Sequence, residues 1–407
     1  MPPAPLPAAT PRRDPMTPGM IALLALLSAF GPMSIDMYLP ALPTLARDFR
    51  GTPADIQLTL TAFVIAFGFG QIVYGPLGDR FGRKPVLLGG VALYTVASAL
   101  CALAADSGYL VALRFLQGLG ACAGSVMARA MVRDLAERDR AAQVMSIMMA
   151  CVGLAPMLAP LVGSELLERF GWRAIFWLLT GFGITCLLAG GLGTRETLKP
   201  EHIQKLTPGP LARRYVALAT TRDFVGYGLT GGFLFAAMFS YISGSSFVFI
   251  DRYGFTPREY GLLFGLNIVT MISGATLNSR MARRFGAGPV LRRVVWVPLI
   301  AGSALIVAGV VETRTGMLGP WPFIPLCMAL VGSMSVVAPN STASAMQRFP
   351  HMAGTASSLL GLTQFGLGAV FGVAVGHLLD GTILPMAAFM GLGGVLCFTA
   401  HRALVRA

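Results

Sequence analysis

Two ionisable side chains lie deep inside long apolar runs of this sequence: Asp36 in the run 18–40, and Arg114 in the run 109–131. A charge at the centre of a membrane-spanning helix costs at least ~2.5–3.5 kcal/mol on insertion scales, so such residues mark ion or substrate pathways. Successive spans run in opposite directions, which puts both residues roughly 9 Å below the same membrane surface at ~1.5 Å of rise per residue. Equal depth is what an ion pair between two helices requires. The chemistry open to such a pair is proton handling. Loss of water favours a neutral carboxyl group, and a neighbouring guanidinium favours the ionised form. A movement that parts and rejoins Asp36 and Arg114 would load and release a proton. No rival chemistry shows in the runs. They contain no carboxylate pair, no nucleophile beside a base and no metal-ligand cluster, so the chain is not expected to be an enzyme. The six cysteines have neither metal spacing nor paired loops and read as small packing residues. The four histidines form no triad, and no phosphate-binding Gly-x-x-x-x-Gly-Lys loop occurs. No metal and no organic cofactor is expected; protons are the coupling ion.

The elements that must hold these residues follow from composition. The 407 residues are 55% hydrophobic and 12% charged, about half the charge of a soluble domain. Runs long enough to cross a hydrocarbon core of ~30 Å as helices recur throughout. They fall at 18–40, 56–76, 85–104, 109–131, 141–164, 172–193, 223–247, 258–279, 289–310, 321–345, 352–378 and 382–403. Membrane strands would alternate in short segments instead. The expected fold is therefore an all-α membrane protein with twelve transmembrane helices in two six-helix halves. A Pro/Ala-rich tail (1–17), expected to be disordered, precedes an N-terminal half (18–193). A polar linker (194–222) joins it to the C-terminal half (223–403). Arg12 and Arg13 precede the first run, which reads as a retained helix because no cleavage site follows. Most of the 31 basic residues fall on the side of the termini. That skew places both termini in the cytoplasm of a multi-pass protein in a bacterial inner membrane. The net charge of +13 is thus topology, and no nucleic-acid partner is expected.

The halves echo one another. Arg80-Phe-Gly-Arg-Lys-Pro-Val86 returns as Arg284-Phe-Gly-Ala-Gly-Pro-Val290, each copy after the second span of its half. Internal repeats of this kind build many secondary transporters, with the substrate site between halves near the midplane. Around the first copy, Gly75, Asp79, Arg80, Gly82 and Arg83 form a tight, charged turn. Its glycines permit the reversal, and Asp79 can meet a helix N-terminus or an arginine across the half-interface. The second copy has Arg283 where the first has Asp79, so the latch is expected to be asymmetric.

That loop resembles the signature between spans 2 and 3 of the major facilitator superfamily. Arg114-Phe-Leu-Gln117-Gly118 resembles its second motif. Pro156, Pro160 and Gly163 resemble its antiporter motif, although Ala155 stands where glycine is usual. Ser34 to Pro43, Asn278-Ser-Arg280 and Phe349 to Ser358 are together similar to the bicyclomycin-resistance group of drug:proton antiporters, over about residues 20–400. The resemblance implies export of uncharged or weakly polar antibiotics, of the bicyclomycin and chloramphenicol type, in exchange for protons by alternating access. It also implies a cavity lined by spans 1, 4, 7 and 10, which nominates Met33, Met37, Gln117, Phe235, Met238, Phe239 and Asn340. Methionines and aromatics suit a promiscuous apolar pocket. The expected partners are small-molecule drugs, protons and the lipid bilayer, with the chain acting as a monomer. The alternative reading is a permease of the same fold for an endogenous metabolite.

Overall fold

The computed structural model describes residues 16–198, 208–347, 349 and 352–405. Most of the tail, and linker residues 199–207, lie outside them. All regular structure among the described residues is helical. The first span is broken. Helix α1 (Pro18–Ser28) starts at Thr17, whose hydroxyl accepts from the Met20 amide. The chain bends by 43° at Ala29, continues as α2 (Phe30–Asp36), and passes through a 3-10 turn (Leu39–Ala41) into α3 (Leu42–Asp48). Pro32, Pro40 and Pro43 each lack an amide donor, so an unbroken helix cannot run through this stretch.

Long helices follow: α4 (Pro53–Phe81), α5 (Arg83–Ala102), α6 (Ser107–Leu135), α7 (Arg138–Phe170) and α8 (Arg173–Gly193). A short helix, α9 (Pro208–Ala219), leads to α10 (Arg222–Ser246), which ends in a π-helical turn (Phe247–Arg252). Then come α11 (Pro257–Phe285), α12 (Ala287–Val294), α13 (Trp296–Thr315), α14 (Phe323–Gln347), α15 (Ala353–Leu378) and α16 (Leu384–Leu404). Eleven spans are long and apolar enough to cross a membrane, and the bent α1–α3 unit makes twelve.

The two halves are built alike down to their caps. Helices α4 and α11 both contain 29 residues, and both open on Thr-Pro. The Thr52 hydroxyl accepts from the Asp55 amide while the Asp55 carboxylate accepts from the Thr52 amide; Thr256 and Glu259 repeat the arrangement. Such reciprocal caps satisfy donors that a helix start leaves orphaned. Both helices close on a glycine with positive φ, Gly82 at 96° and Gly286 at 82°. The repeated Arg-Phe-Gly is thus a single turn used twice.

We call the end holding Gly82 and Gly286 basal and the opposite end distal. Helices approach closely through small residues, as lipid requires in place of a hydrophobic drive. A side chain on Gly118 would run into the Phe63 carbonyl, and one on Gly394 would lie 3.0 Å from the carbonyl carbon of Pro298. Between halves, α4 lies along α15, with Gln57 beside Gly376, Gly68 beside Phe365 and Gln71 beside Gly361. Likewise α7 lies along α11, with Ser164 beside Gly261. Distally the halves are tied. The Gln57 amide donates to the Ser243 carbonyl, and Arg258 lies 3.9 Å from Glu165. Basally they part: none of residues 269–285 of α11 is buried. The halves thus stand apart basally on the α7–α11 side, and we call the space between them there the vestibule.

Candidate functional site

The site begins with a consequence of the break in span 1. The Tyr38 amide bonds the Ile35 carbonyl in the 3-10 turn, so the Ser34 carbonyl loses the partner that a regular helix would supply. Arg114 of α6 takes that carbonyl with Nη2 at 3.1 Å. Its Nη1 donates to Gln117 Oε1 at 2.5 Å, and Gln117 is held in turn by donation to Ser98 Oγ at 2.8 Å. The guanidinium lies 4.5 Å from the Phe63 ring centre, 4.7 Å from Tyr38 and 5.9 Å from Phe176. Arg114 is fully buried, and its Nε has no partner.

The expected Asp36–Arg114 ion pair is not formed in this conformation. Equal depth is not enough, because the kink presents a backbone carbonyl to the arginine and turns the carboxylate elsewhere. Asp36 closes α2, is 4% exposed, and accepts no hydrogen bond from any described residue. It lies within electrostatic reach of Tyr260 on α11, in the other half. The Tyr260 hydroxyl shares a 2.9 Å hydrogen bond with Ser245 Oγ of α10. Gly163 meets the backbone of Met37, one residue past Asp36, and Gly261 sits against Pro160, Leu161 and Ser164. Pro160 and Gly163 of the antiporter-like motif therefore form the seam on which Asp36 and Tyr260 meet. Pro156 lies farther toward the base within the same helix.

At the basal turn, Arg83 is the hub. It pairs with Asp79 at 2.6 Å and with Asp134 at 3.0 Å. Glu196, just past α8, accepts from the Arg83 amide at 2.8 Å and the Lys84 amide at 3.2 Å. Lys84 Nζ donates to the carbonyls of Gly191 and Thr194 at the end of α8. Burial pushes the Glu196 carboxyl up, but backbone amides of Leu198, Arg83, Lys84 and Thr197 outweigh it and hold the pKa below the ordinary glutamate value. Arg80 stacks on Phe81 at 5.2 Å, and nothing crowds Gly75. The contact expected from Asp79 across the half-interface is not made here, because its carboxylate is spent on Arg83 and the basal ends are apart. Asp134 and Glu196 were not singled out from sequence. An acid at the end of a span beside a basic turn is a usable signal, but many loop acids share it.

The nominated pocket residues divide. Phe235 and Phe239 belong to an aromatic chain that crosses the interface: Phe239 to Phe235 at 6.3 Å, Phe235 to Phe365 at 5.1 Å, Phe365 to Phe67 at 5.0 Å, and Phe67 to Phe63 at 6.2 Å. Phe63, Phe67 and Phe365 were missed, since α4 and α15 were not counted among the cavity-lining spans. Met33 and Met238 are half-buried beside the core. Met37 is packed away at 1% exposure. Gln117 is consumed by Arg114, and Asn340 donates to Asn278 at 2.6 Å and to the Val336 carbonyl. These three are structural in this conformation. Among the described residues no three His, Cys, Asp or Glu side chains converge as a metal site would need.

Twelve spans in two repeated halves, with a buried carboxylate at the seam between them, define a secondary-transporter fold. The chain belongs to the Major Facilitator Superfamily, whose family model matches residues 24–373. A bicyclomycin resistance protein homolog of Haemophilus influenzae is 35% identical, covering 94% of each chain. The chloramphenicol resistance protein of Pseudomonas aeruginosa is 32% identical over 90% of this chain and 85% of its own. Multidrug resistance protein D of Escherichia coli is 29% identical over 93% and 94%. Among solved structures, a D-xylose-proton symporter superposes with a TM-score of 0.76 at 15% identity, covering 95% of this chain and 98% of that one. A bacterial homolog of the human lysosomal transporter Spinster gives 0.71 at 18%, over 96% and 98%. The chain is thus a multi-pass transporter of this fold, related to drug-resistance proteins.

Proposed function

We propose that the protein exports small, uncharged or weakly polar antibiotics from the cytoplasm in exchange for protons, by alternating access in a bacterial inner membrane. The observation that carries this reading is Asp36: a buried carboxylate with no cation and no donor among the described residues, on the seam between halves. A structural acid in a membrane span would be paired. An acid that must gain and lose a proton as the halves move has to be left free in one of the states. On this reading the conformation described corresponds to the parted state, with Arg114 on the Ser34 carbonyl and the vestibule open basally. The basic residues gathered at that end support the reading that it, and both termini, face the cytoplasm. The relatives' names support drugs as the substrate class, and the aromatic chain from Phe63 to Phe239 supplies an apolar wall for them.

The test is transport in proteoliposomes with an imposed pH gradient. Asp36→Asn should abolish gradient-driven chloramphenicol movement while leaving insertion and folding intact. Active, pH-dependent export by that variant would remove Asp36 from the coupling step. Failure of the wild type to move any such drug, with a growth defect in a knockout, would point to the metabolite permease instead.

A further inference from the structure

The basal half of the interface holds a second inward-facing cation, Arg129 of α6, which the coupling site does not use. Its Nη2 donates to Gln71 Oε1 of α4 at 3.1 Å. No carboxylate lies within ion-pair distance of it among the described residues, and the acids of the basal turn, Asp79 and Asp134, are both held by Arg83. An arginine near the end of a span ordinarily reaches back to the headgroup surface. Arg129 does the opposite. Helices α4 and α6 run parallel, with Gly70 beside Cys122 and Gly78 beside Met127. In that register Gln71 lies more than one turn farther from the basal end than Arg129, so the guanidinium is drawn inward.

The inward position is also the interface. Gln71 faces Gly361 of α15, in the other half, at 3.5 Å from where a side chain would begin. One turn above, at Gly68, Phe365 covers α4 and meets Phe67 edge-on. The Gln71 amide that binds this planar cation therefore lies about 5 Å, one helical turn, below an aromatic wall. Neither feature has a reason to be there for packing alone: the cation costs desolvation that the neutral Gln71 amide returns only in part.

We propose that Arg129 is an anion subsite of the vestibule, taking the oxygen pair of a carboxylate or sulfonate on a compound whose ring rests on Phe67 and Phe365. A guanidinium fork matches two oxygens of one group, which a lysine does not. The inference rests on the proposed drug-export role and widens its cargo from uncharged compounds to anionic aromatic ones; the binding event needs no proton gradient.

The experiment uses full-length protein in phosphatidylcholine nanodiscs at neutral pH, without a gradient. The probes are anilinonaphthalene sulfonate and phenylnaphthylamine, which share one aromatic frame and differ in the sulfonate. Fluorescence titrations are corrected by protein-free discs. Arg129→Gln should weaken sulfonate binding about tenfold or more and leave the neutral amine within about twofold. Arg129→Lys should recover part of the loss, and matched thermal unfolding checks the fold. Equal sulfonate binding by wild type and Arg129→Gln, whether both bind or neither does, overturns the subsite. So does an equal loss for both probes, which would make Arg129 structural. A difference that vanishes when phosphatidylglycerol is added assigns the cation to lipid headgroups and overturns the cargo reading. None of these outcomes depends on whether Asp36 carries a proton.

Discussion

Arg114 offers a quantitative check on how its neighbours hold it. In the structure its strongest partner is Gln117, through a charged hydrogen bond of 2.5 Å, with the Ser34 carbonyl second and two ring faces within 4.7 Å. A hydrogen bond to a charged group is worth ~1.5–3 kcal/mol, and a desolvated ring face adds ~0.5–2 kcal/mol. Asp36 makes no contact with it. A double-mutant cycle with Arg114→Met and Gln117→Leu should therefore give a coupling energy of about 1.5–3 kcal/mol. The cycle pairing Arg114→Met with Asp36→Asn should give less than ~0.5 kcal/mol, as expected for residues without a shared contact. The assay is reversible unfolding in mixed detergent micelles near neutral pH, read by tryptophan fluorescence and circular dichroism on each protein of the two cycles. A coupling above ~1 kcal/mol for Asp36 with Arg114, together with one near zero for Gln117, would place the guanidinium on the carboxylate in the populated state. The kink-based account of why they are apart would then be wrong.

Two further predictions concern the ends of the bundle. Gln57→Leu removes the side-chain hydrogen bond that ties α4 to α10 distally, a loss of ~0.5–1.5 kcal/mol that should raise the distally open population by up to about tenfold. Labelling of Thr61→Cys by an impermeant thiol reagent, in a background stripped of the native cysteines, should quicken accordingly; an unchanged rate refutes the tie. Glu196→Gln should lower thermal stability at neutral pH by less than about 1 kcal/mol, because the carboxylate at the start of α5 is solvent-screened. Because the folded-state pKa is depressed, that contribution is present above the ordinary glutamate value of ~4.3 and is lost as pH falls through the lower folded value. The wild type and the variant should converge in melting temperature under acid; a constant gap down to that range would contradict the cap.

The spans were legible because a bilayer imposes length and apolarity on every helix that crosses it. The repeat was legible too, through Arg80-Phe-Gly and Arg284-Phe-Gly. The matching caps, Thr52 with Asp55 and Thr256 with Glu259, stood in the sequence equally spaced and were not used. What sequence did not carry was direction around each helix. Depth alone suggested that Asp36 and Arg114 should meet. Which way each points is decided by the tight turn in which the Tyr38 amide bonds the Ile35 carbonyl, and by the Ser34 carbonyl it frees. Gln117 was read as pocket-lining for the same reason: its position on α6 was known but not its partner. Glu196 failed differently. Its role arises only when the end of α8 comes to rest at the start of α5, more than a hundred residues away in the chain.

The two basal turns have the same backbone and opposite electrostatics, which bears on how the basal end could close. Along α4 and α15 the register runs Gln57 by Gly376, Gly68 by Phe365 and Gln71 by Gly361. Continued one turn past the present contact and then another, it sets Asp79 opposite the first turn of α15, where Gly354 now has nothing near it. A helix start carries unpaired amides and a partial positive charge, so an approaching carboxylate would be bound there. Along α11 and α7, Gly261 lies by Pro160 and Ser164, and that register carried about six turns farther sets Arg283 near the start of α7. There the side chain is a cation that now donates only to the Ser279 carbonyl one turn behind it, and a helix start repels it. Closure would thus be drawn together on the α4–α15 side and resisted on the other. An acid already shared with Arg83 can change partners at small cost, since the arginine keeps Asp134 when Asp79 leaves. Under the proposed alternating access, the basal network would be the open-state resting place of a one-sided latch.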